Sequence, residues 1–505
     1  MEQKAYIFLL ILFSIIMFSS PQQNFKVYWD WDTLVIDVNG REHECPECIP
    51  YKVKISSNKG KLYLSIPRIY NKDIYDIDQY NITATFILLM TDLPYTKYWQ
   101  PWPSDEYALP PTPKDKKEQL KFYSIMGFEI DNSQNIYLLD QGIIIKENNT
   151  IMYNTSKLMI FDKDGKEKKV YFFDELDFTT AFLTDIVVDQ SRKYAYITDS
   201  GIMLNNQSIP RIIVIDLEKE KLYKILNNNI NFKPDENISI IYSENEMYNY
   251  LTNITGLNNI QITCDGEMIF FSSLKSKMLY TVSTQDITDA INNYIKSKDE
   301  NYLNNIKINI VNKNLISQSF LLTSKNNIFM TNEDNGSIRI SYAFDQNNLI
   351  KHNFNDFSEF KPDKLIVNWP SSVDIYNGVL YLLDNNYHNR NKQENGTNKT
   401  YYNNKFNDDD DGDEEKNETV KLHAIYTANI SKDEYSYKIG CSVYVFKFNL
   451  YTFFIMSWFG IILIIVIFLM IIISKDTSNK KKNKKIEEEN NVNELNKRLN
   501  EQSEE

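Results

Sequence analysis

Glycine and proline, the residues that most often turn a chain, number only 14 each in 505 residues. Asn, Asp and Lys take over the turn positions, the first two through local side-chain hydrogen bonds. Histidine and cysteine are rarer, at four apiece. His43, His352, His388 and His423 form no paired spacing such as HExxH, which argues against zinc hydrolysis. No GxSxG nucleophile elbow and no phosphate-cradling P-loop is present, which argues against acyl transfer and nucleotide chemistry. Basic charge is also in deficit. The formal net charge is −13, whereas a nucleic-acid binder needs a basic face to replace counterions. Much of the acid lies in residues 408–415 and in the tail, so the folded part is nearer neutral.

What the chain does have is a repeated grammar. Residues 127–140, GFEIDNSQNIYLLD, are an alternating run, a polar turn and a second run that ends on an acid. The pattern returns at 55–67, 186–199, 260–273, 320–332 and 373–384. Each copy predicts two short strands around a tight turn. The second strand always carries an aromatic: Tyr63, Tyr137, Tyr196, Phe270, Phe329 or Tyr381. These anchors are separated by roughly 50 to 75 residues, the spacing of propeller blades. Six copies predict an all-β, six-bladed β-propeller. A second element, a basic residue, four apolar residues and an acid, recurs at 157–162 (KLMIFD) and 211–216 (RIIVID), and reads as a later strand of two blades. Residues 25–38 predict a strand or two. Residues 287–295 have helical spacing, and 421–430 and 440–448 read as further strands. Residues 95–113, rich in aromatics and proline, read as a long surface loop that cannot be a central strand.

The ends predict placement. Lys4 followed by an apolar run from 5 to 18 has the pattern of a secretory signal peptide over residues 1–20. Residues 451–473 carry no charge and are long enough to cross ~30 Å of hydrocarbon at ~1.5 Å per residue. Lys475, Lys480, Lys481, Lys482, Lys484 and Lys485 follow, a cluster expected to stay in the cytosol. The expectation is a single-pass type I membrane protein. Its propeller, within residues 25–450, is extracellular or luminal, and a disordered cytoplasmic tail spans 474–505. A polar, acidic stretch at about 385–420 reads as a flexible insertion rather than a calcium loop. In an oxidising compartment Cys45, Cys48, Cys264 and Cys441 form up to two disulfides, with three pairings open; one between the ends would close the ring of blades. Glycosylation acceptors stand at Asn81, Asn148, Asn154, Asn206, Asn237, Asn253, Asn335, Asn395, Asn398, Asn417 and Asn429.

Several stretches together resemble the yellow/major royal jelly protein family: 124–142, 157–162, 181–199 with its FLTDIVVD, 256–284, and 368–384 with Trp369-Pro370 before the last inner strand. Residues 62–68, LYLSIPR, are similar to that family's first-blade signature, and Cys441 falls where members carry a terminal cysteine. The resemblance implies a secreted six-bladed propeller with a central ligand pocket. It further implies that some members bind small amines and that some convert dopachrome. The chain departs from the pattern at Asn154-Thr155-Ser156, where members carry a cysteine, and at Ser371-Ser372, where an acid follows Trp-Pro.

In a propeller the innermost strands start at the channel. This makes Glu129, Thr184, Asp185, Asn258, Asn259, Ser324, Ser371 and Ser372 candidate ligand contacts, with Phe128 and Trp369 as walls. A cationic amine needs a carboxylate and an aromatic face, which favours Asp185 and Glu129. No catalytic residue and no cofactor is expected, and calcium has little support. The leading expectation is a membrane-anchored propeller that binds a small molecule, an amine or a catechol, in its central pocket. The alternatives are an enzyme of dopachrome-converting or calcium-dependent lactonase type, and a surface adhesion protein. A lactonase would need Glu, Asn and Asp on one ion; Asn258 fits such a set, but Thr184 and Ser371 do not.

Overall fold

The computed structural model describes, with short interruptions, residues 26–67, 85–89, 99–108, 120–145, 151–201, 209–233, 257–341, 358–360, 370–384 and 423–429, together with Lys482. The expected signal peptide, acidic insertion, second late strand at 440–448 and membrane segment lie outside these residues, as does the tail apart from Lys482. Among the described residues no helix is long and apolar enough to cross a membrane. The chain divides into two units, Met1–Cys441 and Ser442–Glu505, and the blades belong to the first.

Each of the six predicted hairpins is the inner half of one blade. Blade 1 runs outward from Lys52–Ile55 through Leu62–Ser65, Phe86–Leu89 and Trp99–Pro101, then adds Leu34–Val38 and Arg41–Cys45. Blade 2 is Ile125–Ile130, Ile136–Asp140, Lys157–Phe161 and Glu167–Phe172. Blade 3 is Leu183–Asp189, Tyr194–Asp199, Arg211–Asp216 and Lys221–Ile225. Blade 4 is Leu257–Ile262, Met268–Ser273, Leu279–Ser283 and Asn309–Asn312, with the helices Thr284–Ser297 and Asn301–Asn304 before its last strand. Blade 5 is Phe320–Leu322, Ile328–Asn332, Ser337–Ser341 and Ser358–Phe360. Blade 6 is Pro370–Tyr376, Val379–Asp384 and His423–Asn429, completed by Lys26–Trp31 from the start of the chain. The innermost strands contact one another in sequence, and that of blade 6 returns to that of blade 1. The ring is therefore closed by backbone pairing, Lys26 opposite Thr427 and Trp31 opposite His423.

Alternation along the strands sends side chains to the two faces of each blade, and the outcome is six apolar clusters, one per blade interface. Tyr63, Phe86 and Trp102 of blade 1 meet Phe128 and Phe161 of blade 2, whereas Leu62 and Leu64 point the other way to Leu383 and Ile425 of blade 6. Five of the six expected aromatic anchors are buried; Tyr381 is half-buried and packs edge-on to Tyr28.

Two expectations need correction. Residues 95–113 are not only a loop, because Trp99–Pro101 is an interior strand of blade 1. Pro101 is tolerated because it ends the strand, and the next residue's N–H, that of Trp102, donates to Phe86 O at 3.1 Å. The predicted helix is longer than 287–295. It starts at Thr284, where Ser283 accepts from the N–H groups of Gln285 and Asp286, and it ends at Lys298 in the left-handed conformation.

The recurring basic-apolar-acid element has a mechanical role. Lys157 Nζ lies 2.7 Å from Asp140, and Arg211 Nε lies 2.7 Å from Asp199, each pair almost fully buried. Asp140 also accepts from the N–H groups of Tyr123, Ser124 and Gly142, and Asp199 from those of Phe182 and Gly201. The basic residue thus neutralises a carboxylate that gathers the chain entering the blade. The trailing acids, Asp162 and Asp216, accept the N–H groups of their own turns. Gly127 serves a different contact. A Cβ there would stand 2.7 Å from Asp185 Cα and 2.8 Å from Thr184 O, so only glycine lets the innermost strands of blades 2 and 3 approach this closely.

Asp199→Ala leaves a buried guanidinium and two backbone N–H groups uncompensated, and is expected to cost about 3–5 kcal/mol in urea unfolding. Asp162→Ala, where water replaces the exposed carboxylate, is expected to move the midpoint far less. Gly127→Ala is expected to destabilise by roughly 1–3 kcal/mol through overpacking against backbone, read as a lower melting temperature and altered near-UV circular dichroism.

Candidate functional site

The innermost strand of a blade has a sheet neighbour on its outer side only. Its channel-facing N–H groups need partners, because unpaired backbone donors away from water are costly. Side chains of neighbouring blades supply several of them. Val53 N donates to Ser372 Oγ at 3.1 Å, and Ile55 N to Asp374 Oδ2 at 2.8 Å, so blade 6 caps blade 1. Asp185 accepts from Ile186 N at 2.8 Å in its own strand and from Ile260 N at 3.4 Å in blade 4. Glu129 accepts from Ile130 N at 2.8 Å.

These carboxylates meet two lysines from blade 1 in successive tiers. Lys52 and Lys54 are two residues apart on one strand and share a face. Lys52 Nζ pairs with Asp185 of blade 3, and Lys54 Nζ lies 2.8 Å from Glu129 of blade 2. Next to Lys52 in sequence, Tyr51 donates its hydroxyl to Asn258 Oδ1 at 2.7 Å. That bond joins blades 1 and 4, which are opposite each other in a ring of six, so it spans the channel. The charged residues are no more than 7% exposed: Lys52 7%, Lys54 6%, Asp374 4%, Asp185 2% and Glu129 1%.

Burial and neighbours push the titrations apart. Burial, helped by the charge of Lys54, holds Lys52 below the ordinary lysine value despite Asp185. Burial acts on Lys54 too, but Glu129 and Asp374 outweigh it and raise Lys54 above that value. Burial raises the Asp374 carboxyl, with Lys54 opposing. Asp374 is the channel carboxylate to which no ammonium is hydrogen-bonded among the described residues; its partners are the N–H groups of Ile55 and Ile375.

Glu129, Asp185, Asn258 and Ser372, expected at the channel, take part in this network. The Thr184 hydroxyl bonds to Thr198 Oγ1 at 2.9 Å and to Leu257 O at 3.0 Å, and so ties blade 3 to blade 4. Asn259 Nδ2 donates toward blade 5, to Ser319 Oγ at 3.3 Å, while its buried Oδ1 has no partner among the described residues. Ser371 donates to Leu383 O at 3.3 Å within its own blade. Phe128 is not a channel wall: it is wholly buried between blades 1 and 2, its ring centre 4.8 Å from that of Phe86. Ser324 and Trp369 lie outside the described residues. Lys52, Lys54, Asp374 and Tyr51 were not expected, although the alternation in YKVKI could have pointed to two lysines on the channel side of an inner strand.

Cys48 and Cys264, the two cysteines with described side chains, carry no free thiol. Of Cys45 only the strand position is described, and Cys441 lies outside. The acceptor asparagines also lie outside, apart from the strand position of Asn429. A lactonase-type calcium ion is not matched by the residues present. Calcium takes six to eight oxygen ligands, whereas Asp185 is bridged to an ammonium, Asn258 accepts from a phenol, and Thr184 and Ser371 bond within the ring. Among the described residues no three His, Cys, Asp or Glu side chains are grouped to hold an ion. A cleft of ≈180 Å³ opens on the inner turns of blades 2, 3 and 4, lined by Asp131, Asp189 and Asp265. Those carboxylates are taken up by their own turns, on Asn135, Ser191 and Glu267 respectively.

With this geometry in view, comparisons with known proteins place the chain. No curated protein matches it. Among solved structures, a virginiamycin B lyase from Staphylococcus aureus matches with 12% identity over 71% of this chain and 95% of that one, at a TM-score of 0.35. A nidogen/laminin complex matches with 9% identity over 63% of this chain and 88% of that one, at a TM-score of 0.33. The family model for major royal jelly protein matches residues 123–414, more than half of the chain. The match begins at the entry to blade 2 and extends past the second strand of blade 6. The chain belongs to the major royal jelly protein family.

Proposed function

We propose that this protein is a membrane-anchored propeller, held outside the cell or in a lumen, that binds a small amine in its central channel. The observation that carries the reading is a charge count: two lysines stand against three buried carboxylates, and Asp374 is the one to which no ammonium is hydrogen-bonded among the described residues. Buried charge is costly, and apolar residues of similar volume often serve a scaffold equally well. Five such groups gathered on the axis of a ring are better explained by a binding site than by stability alone. An ammonium ligand beside Asp374 brings the count to three and three. Ligands aimed at Asp185 or Glu129 would first have to displace Lys52 or Lys54, which moves the anchoring role from those two acids to Asp374. Membrane anchoring by residues 451–473 and export by residues 1–20 rest on the apolar runs and their flanking lysines.

The sign of the pH dependence follows from the Asp374 shift. Its carboxyl is raised by burial, so the free protein holds a proton there to a higher pH than an exposed aspartate would. An ammonium ligand needs the ionised form, so binding releases that proton and affinity falls as pH drops through the raised value. Calorimetry of the full-length chain with phenethylamine over a pH series, in buffers of different ionisation enthalpy, is expected to show proton release that grows as the pH is lowered toward the raised Asp374 value. Asp374→Asn keeps an acceptor for Ile55 N and removes a charge from the interior, so the variant is expected to be at least as thermostable as the parent near neutral pH. It is also expected to lose roughly 30-fold or more in amine affinity, about 2 kcal/mol. Unchanged affinity in a folded Asp374→Asn protein would overturn the reading.

A further inference from the structure

A channel that only needed to balance its carboxylates could use lysines of one kind, yet the two present stand in different settings. Lys54 faces Glu129 and the charge of Asp374. Lys52 is in contact with Asp185, feels Lys54 as a like charge from the same strand and, less strongly, feels the charge of Glu129. It is the residue next to Tyr51, whose half-buried ring and bond to Asn258 mark the strand-start end of the channel. A desolvated amine beside a second cation is the setting in which a lysine becomes nucleophilic, and Asp185, in direct contact, can take and return its proton. Burial holds Lys52 below the ordinary lysine value, in the direction this role requires.

We propose that Lys52 is a reactive lysine and that the channel captures small aldehydes or ketones as an imine on its Nζ. The ammonium passes a proton to Asp185. The free amine's electron pair then forms the C–N bond while the C=O π pair moves to oxygen, which takes up that proton to give a carbinolamine. The nitrogen next loses its extra proton to Asp185 and the C–O bond breaks. The hydroxyl leaves as water with the proton from Asp185, and the nitrogen pair closes the C=N bond. In sum a carbonyl compound and the lysine ammonium give a protonated imine and one water, with Asp185 returned to its carboxylate, no change in oxidation level and no co-reactant. Glu129 and Lys54 remain paired throughout, and Asp374 is not used, so the proposal does not depend on amine binding at Asp374.

The test is reductive trapping. The full-length chain is incubated with propanal or phenylacetaldehyde at low concentration with sodium cyanoborohydride, and the adduct is located by peptide mass mapping. The expected result is one dominant adduct on Lys52, formed at least tenfold faster than on surface lysines such as Lys168 and Lys219. Lys52→Arg, which keeps the partner of Asp185, is expected to abolish that adduct without lowering the melting temperature. Asp185→Asn is expected to slow its formation. Modification of Lys52 no faster than of surface lysines, in a protein with its native melting temperature, overturns the proposal. Phenethylamine affinity measured on the parent protein separates the two readings. Amine binding with no selective trapping sinks the imine alone. Selective trapping with no amine binding sinks the amine alone.

Discussion

The constraint on which the rest of this molecule depends is the unpaired inner edge of each blade. A ring of sheets covers its outer faces against its neighbours, but the six innermost strands turn one row of N–H groups toward the axis, where no strand can pair with them. Here the solution is anionic. Asp374, Asp185 and Glu129 accept those donors, and three carboxylates brought together out of water then require cations. Blade 1 provides them from a single strand, as Lys52 and Lys54. Blade 1 is thereby joined to three others, by its backbone to side chains of blade 6 and by its two lysines to blades 2 and 3, and the channel chemistry follows from the way the fold manages its edges.

Much of this architecture was legible because strands write their burial with a period of two. The hairpins at 127–140 and 186–199 show it directly, and their aromatic anchors, Tyr137 and Tyr196, fall on the faces that pack between blades. The channel was harder to read. Lys52-Val53-Lys54-Ile55 has the same alternation as a strand with one face in water, and sequence alone does not say that this polar face looks into a closed axis. Asp374 was missed for a related reason. The strand-start rule points to Ser371 and Ser372, whereas Asp374 is the fifth residue of Pro370–Tyr376. Phe128 erred in the opposite direction: it neighbours Glu129, but strand alternation sends the two side chains to opposite faces, so the ring lies in the apolar interface.

The recurring basic-apolar-acid element shows how a local motif acquires meaning only in three dimensions. In Lys157–Phe161 and Arg211–Asp216 the basic residue begins the third strand directly opposite the acid that ends the second, Asp140 or Asp199. A charged pair at that place is buried on all sides and would be a liability, except that each acid also holds N–H groups of the incoming chain. Blade 5 meets the same demand without charge, Asn332 Nδ2 donating to Ser337 Oγ at 3.2 Å. Blade 6 puts Asp384 opposite Ala424. The latch is therefore a position in the blade, and its chemistry varies around the ring.

Two identical side chains on one strand, two residues apart, end with opposite shifts, and the cause is geometric rather than chemical. Lys54 sits where two carboxylates converge from blades 2 and 6, so their attraction exceeds the loss of hydration. Lys52 sits one tier away, where burial and the charge of Lys54 outweigh its contact with Asp185 and the weaker pull of Glu129. Strand alternation alone guarantees that both face the axis; the stagger of neighbouring blades decides which receives more negative charge. Gly127 fixes part of that stagger by letting blade 2 close onto Thr184 and Asp185. Alternation and stagger together let a single polar strand hold two lysines whose titrations are pushed in opposite directions, one by burial and the other by converging carboxylates.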